Sequence, residues 1–61
     1  MPASITNDNW PTFRYYQRRR FRIVAVHTGV VDMMRQMNPS IPERGVEGVP
    51  VRDEIALEIL L

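Results

Sequence analysis

The chain is predicted to fold as an α+β unit, a small β-β-α-β sheet with one covering helix, on three observations in its 61 residues. The segment Phe21 to His27 carries β-branched Ile23, Val24 and Val26 with apolar side chains on both faces, the pattern of a central strand. Val30, Met33, Met34 and Met37 fall at i, i+3, i+4 and i+7, which is one apolar helical face. Ile55, Leu57, Ile59 and Leu61 alternate with Glu54, Ala56 and Glu58, the period of a strand.

Taken in chain order, residues 1–11 read as an extended arm. Pro2, the polar cluster from Thr6 to Asn9 and Pro11 supply turns and no periodic apolar face. The single folded domain is expected over 12–61. Phe13, Tyr15 and Tyr16 favour a strand between Thr12 and Gln17, with a helix over 11–20 as the alternative, because a tight turn at Arg18 and Arg19 lacks glycine or asparagine. After the Phe21–His27 strand, Thr28 is placed to cap a helix and Asp32 to favour its positive end. That helix should stop near Met37, since Asn38 precedes Pro39. Residues 38–50 hold Pro39, Pro42, Gly45, Gly48 and Pro50 and read as a loop. Over 51–61 propensity favours a helix and periodicity a strand; periodicity is followed here.

A right-handed crossover from the second strand through the helix to the last strand is sterically ordinary. One helix covers one face of such a sheet, which leaves the opposite face, carrying some of Phe13, Tyr15, Val24 and Val26, for a partner. A second architecture follows the order of a basic strand (Arg19 to Val26), a helix (Val30 to Met37) and a last segment opening Gly48, Val49, Pro50. In that order and composition residues 19–61 resemble the ribbon-helix-helix DNA-binding proteins. The resemblance implies a β-α-α dimer inserting paired strands into the major groove.

Size sets the next constraint. A chain of about 60 residues buries only roughly 60% of the surface its unfolded form exposes, and such scaffolds usually need a staple. There is no cysteine and only one histidine, so neither a disulfide nor a structural zinc is expected, and no cofactor is implied. Self-association or docking on a larger partner is the remaining means of completing a core. The apolar end, Ile55, Leu57, Ile59, Leu60 and Leu61, is the expected interface. Residues 1–10 lack the basic and apolar regions of a signal peptide, and the longest apolar runs fall far short of a membrane span. A protein in the cytoplasm or inside a larger soluble assembly is expected, neither secreted nor transmembrane.

All eight basic residues are arginine, and their placement is uneven. Residues 1–31 carry Arg14, Arg18, Arg19, Arg20 and Arg22 against Asp8, a net of +4, while 32–61 net −3. On a hairpin turning at Arg18 and Arg19, Phe13, Tyr15, Arg20 and Arg22 share one face. Guanidinium forks bind carboxylate or phosphate and stack on aromatic rings. Phe13, Tyr15, Arg18, Arg19, Arg20 and Arg22 are therefore the candidate partner-binding residues.

Other chemistry is poorly supplied. His27, Thr28 and Gly29 at a strand-to-helix junction lack the glycine and lysine spacing of a phosphate-binding loop. No spacing sets Ser4 or Ser40 beside His27, and adjacent Asp53 and Glu54 point to opposite faces of a strand. Met33, Met34 and Met37 read as core, with an adaptable docking surface as the second reading. The expectation is a non-catalytic protein-binding or assembly subunit with an arginine and aromatic surface for an acidic partner. Nucleic-acid binding through the segment Arg14 to Arg22 is the alternative, and neither a membrane nor a small-molecule substrate is expected.

Overall fold

The computed structural model describes residues 1–59. Leu60 and Leu61, expected in the apolar interface, lie outside the described residues. The chain runs β1 (Pro2–Thr6), α1 (Trp10–Arg18), β2 (Arg22–His27), α2 (Val30–Met37) and β3 (Glu54–Glu58). The strands form one sheet in the order β1-β3-β2, with β3 antiparallel to both neighbours. The two outer strands are consequently parallel to each other, and α1 is the crossover between them.

The class is α+β, but the element order is β-α-β-α-β, which replaces both the β-β-α-β and the β-α-α readings. Residues 2–6 of the expected arm are a sheet strand. The expected strand at 12–17 is helix α1, because its ends are specified locally. Asn9 caps it, its side-chain oxygen accepting from the Thr12 amide at 3.3 Å, and Pro11 sits in the first turn, where a missing N–H costs nothing. The Phe21–His27 strand lies at an edge of the sheet. Its apolar character on both sides coincides with a bulge at Val24, between the pairs Ile23↔Leu57 and Ala25↔Ala56. The last strand returns antiparallel, between the other two.

Register shows which face is core. Ala3, Ile5, Ile55 and Leu57 share one side of the sheet, and on it Ile5 and Leu57 are buried. Pro2 and Ser4 on the opposite side are exposed. Val31 and Val51 complete the buried apolar set among the described residues. Leu57, expected in an intermolecular interface, is 1% exposed and is spent inside the chain. Ile55 and Ile59 are half-buried.

Helix α2 is turned from its expected orientation. Val31 is its buried residue, while Met33, Met34 and Met37 are 64%, 42% and 89% exposed. The i+4 neighbour of Val31 is Arg35, and this pair faces inward together. Arg35 donates from Nε to the Ile41 carbonyl (3.2 Å) and from Nη2 to those of Pro42 (2.9 Å) and Val51 (2.7 Å). One guanidinium thus ties both ends of the 38–50 loop to the helix. The start of α2 is not capped by Thr28. Gly29 takes a left-handed conformation there, and its amide donates to the Asp53 carboxylate at 2.7 Å.

Three consecutive polar residues do distinct work at the end of β1. Asn7 donates from Nδ2 to the Pro50 carbonyl, and its Oδ1 accepts from the amides of Arg52 and Asp53. Asp8 is 7% exposed and accepts from the Thr6 hydroxyl at 2.5 Å and the Val46 amide at 3.0 Å. Asn9 begins α1. Glycine is required at 45 because a Cβ there would lie 2.6 Å from Asp8 Cγ and 3.0 Å from Val51 Cγ2.

Candidate functional site

Helix α1 has two faces with different fates. Thr12, Phe13 and Tyr16 are half-buried, and Tyr16 packs on Phe21 with ring centroids 4.8 Å apart. Trp10, Pro11, Arg14, Tyr15, Arg18 and Arg19 line an open groove of about 700 Å³. At 100° per residue Trp10, Arg14 and Arg18 form one row and Tyr15 with Arg19 a second beside it. Trp10 and Tyr15 are about half exposed, and the Arg19 guanidinium carbon lies 4.5 Å above the Tyr15 ring. That stacking holds one side of the groove flat and is worth about 0.5–1 kcal/mol at an exposed site.

This charge has no ion-pair partner among the described residues. Among the described residues, the ion pair lies elsewhere, between Asp32 and Arg35 at 2.8 Å. No described carboxylate comes within 4 Å of the Arg14, Arg18 or Arg19 guanidiniums. The groove therefore offers three guanidinium groups and two aromatic faces, a surface suited to carboxylates or phosphates carried beside a flat or apolar group.

Of the residues expected from sequence, Tyr15, Arg18 and Arg19 are brought together here. Phe13 is not among them: two residues before Tyr15, it lies on the opposite side of the helix, turned inward. Arg22 is on β2, opposite Glu58 in the register. Arg20 occupies the turn that ends α1. The Phe21 amide donates to the Tyr16 carbonyl and the Arg20 amide to that of Gln17, and the Tyr16 and Phe21 rings pack together, which is the Schellman termination. Trp10 and Arg14 were missed, although their i, i+4 relation to each other and to Arg18 carries the signal once 11–20 is read as helix.

Arg20 holds φ at +71° at the position where glycine is the usual residue. A side chain in this region costs about 1–2 kcal/mol, partly offset by the extra freedom glycine has when unfolded. Arg20→Gly is expected to stabilise the chain by about 0.5–1 kcal/mol, raising the thermal midpoint by a few degrees. A lowered midpoint would mean that the Arg20 side chain makes a stabilising contact.

Sequence comparison places two longer proteins beside this one. "Uncharacterized protein YdhI" of Bacillus subtilis (strain 168) is 40% identical over 50 residues, covering 82% of this chain and 31% of that protein. "Uncharacterized protein YxbD" of the same organism is 36% identical over 52 residues, covering 85% of this chain and 33% of its own length. The chain spans about a third of the length of these curated relatives. No protein-family model and no solved structure matches it. Among the described residues, no helix is long and apolar enough to cross a membrane.

Proposed function

We propose that this chain is a non-catalytic protein-binding unit whose α1 groove engages an acidic segment of a partner. The observation that carries this reading is the cluster of Arg14, Arg18 and Arg19 around Trp10 and Tyr15 with no described carboxylate to neutralise it. Desolvating three guanidinium groups without partners is costly, so the occupant must bring negative charge. The exposed rings suit an aromatic or apolar side chain next to that charge.

The rest of the surface supports contact with further protein. Ile23, Val24 and Val26 on β2 and Met33, Met34 and Met37 on α2 are all more than 40% exposed. Four buried apolar residues among those described make a small core for a folded unit, which favours burial of such surface against a neighbour. In the two relatives the matched segment accompanies roughly twice its length of additional protein.

Trp10 is the single tryptophan and lies in the groove, so its fluorescence reports occupancy directly. Titration with a glutamate-rich peptide containing one tyrosine is expected to saturate and to weaken as salt rises. Arg14→Ala combined with Arg18→Ala should weaken binding tenfold or more, while a lysine-rich peptide should leave the signal unchanged. Tighter binding of a single-stranded oligonucleotide than of the acidic peptide would replace this reading with the nucleic-acid one. The net charge of +1 weighs against that outcome.

A further inference from the structure

The sheet has two open edges, and they are built differently. β2 is interrupted by the bulge at Val24 and carries Arg22 and His27, features that discourage a further strand. β1 is regular in register from Pro2 to Thr6 and contains no charged residue.

The hydrogen-bond phase of β1 can be read from its ends. Met1 and Ile59 exchange bonds in both directions, at 3.2 and 3.3 Å, and the Asn7 amide donates to the Asp53 carbonyl at 2.9 Å. In an antiparallel ladder such pairs alternate, so Ala3 and Ile5 bond to Leu57 and Ile55. The backbone groups of Pro2, Ser4 and Thr6 then point away from β3, toward the open edge. Pro2 has no N–H to offer there. The Thr6 carbonyl is already taken by the Asn9 amide at 3.0 Å. What remains on the edge is two donors, the amides of Ser4 and Thr6, and two acceptors, the carbonyls of Pro2 and Ser4.

This set is self-complementary. With a second copy antiparallel across a two-fold axis at Ser4, the two Ser4 residues exchange both bonds and each Thr6 amide meets the other copy's Pro2 carbonyl. The two groups unable to bond, the Pro2 nitrogen and the occupied Thr6 carbonyl, fall opposite each other. Ala3 lies across from the second copy's Ile5 on the core side, and no like charges are brought together on this edge. We propose that β1 pairs with β1 of a second copy, joining two three-stranded sheets into one of six. This deepens the reading of the chain as a protein-binding unit by naming one partner, and it uses a surface separate from the α1 groove.

Amide hydrogen exchange across a dilution series, with light scattering on the same samples, tests the pairing. In the dimer Ser4 and Thr6 should be protected with Ala3 and Ile5; on dilution to monomer only Ser4 and Thr6 should become fast. Ser4→Pro removes the central donors without touching a bond to β3 and should weaken dimerisation tenfold or more, with circular dichroism reporting retained fold. Ser4→Lys, which sets two ammonium groups across the axis, should do the same and serves if the proline variant does not fold. Val24→Lys on the other edge should leave the dimer intact. A monomer at every concentration, fast Ser4 and Thr6 amides in a dimer, or dissociation by Val24→Lys alone would overturn the proposal. Acidic-peptide binding by the Ser4 variants keeps this result distinct from failure of the groove.

Discussion

Leu57→Ala is expected to remove about half of the chain's folding stability. Leu57 is 1% exposed on the middle strand, opposite Ala3 on one side and Ile23 on the other. Truncation of a buried leucine costs about 2–5 kcal/mol, the loss of transfer free energy plus that of the cavity left behind. A native unit of this length has about 3–9 kcal/mol of total stability at the usual value per residue. Ile5, Val31 and Val51 are the other buried apolar residues described, so little remains to collapse into the space. Leu57→Met, which conserves volume, should cost less than about 1.5 kcal/mol and keep a cooperative transition. Urea unfolding followed by circular dichroism measures both. A loss below about 1 kcal/mol for the alanine variant would show that Leu57 is not packed in solution as described.

The position of Leu57 also marks where the sequence could be read and where it could not. Alternation over 54–58 identified a strand against the helical propensity of Glu, Ala and Leu, because a half-buried strand imposes a period that propensity does not encode. The same pattern carries no information about neighbours, so it places Leu57 at a contact surface although Leu57 is buried within the chain. At α2 the end follows from Asn38 and Pro39, but spacing alone places the apolar row of Val30 and the methionines in the core. Burial there was decided by Arg35, whose three carbonyl contacts require its face of the helix to turn inward. Local spacing cannot show a tertiary bond of that kind. The residues around the groove are half legible: the sequence marks its arginines and aromatics as candidates, but on a strand's period Phe13 joins Tyr15, whereas on a helix's Trp10 and Arg14 do. Asn9 followed by Pro11 was the signal that would have decided it. The polar run from Asn7 to Asn9 reads as a turn from sequence alone, since partners of Asn7 and Asp8 lie about forty residues away in the chain.

Acid should destabilise the protein through Asp8, with the loss beginning near pH 4. Burial by itself pushes the Asp8 carboxyl up, but the Thr6 hydroxyl and the Val46 amide both bond to the charged form and outweigh it, so the group titrates below its ordinary value of 3.8. With the folded-state value depressed, the unfolded chain takes up this proton first as pH falls. The stabilisation is therefore complete above the unfolded value and is lost on descent through the folded one. Asp8→Ala removes the acceptor from a buried amide and is expected to cost about 1–3 kcal/mol at pH 7, releasing the Val46 end of the 44–51 loop. Asp8→Asn keeps an acceptor for Val46 without the charge, so its cost should be smaller and its stability flatter between pH 5 and pH 3. Denaturant unfolding at several pH values measures this. An acid limb of equal depth in wild type and Asp8→Asn would assign the loss to other carboxylates. The Asp32–Arg35 pair, with Asp32 51% exposed, is screened by solvent. Asp8 is screened less, and with Gly45 against it no side chain separates the carboxylate from the loop that it holds.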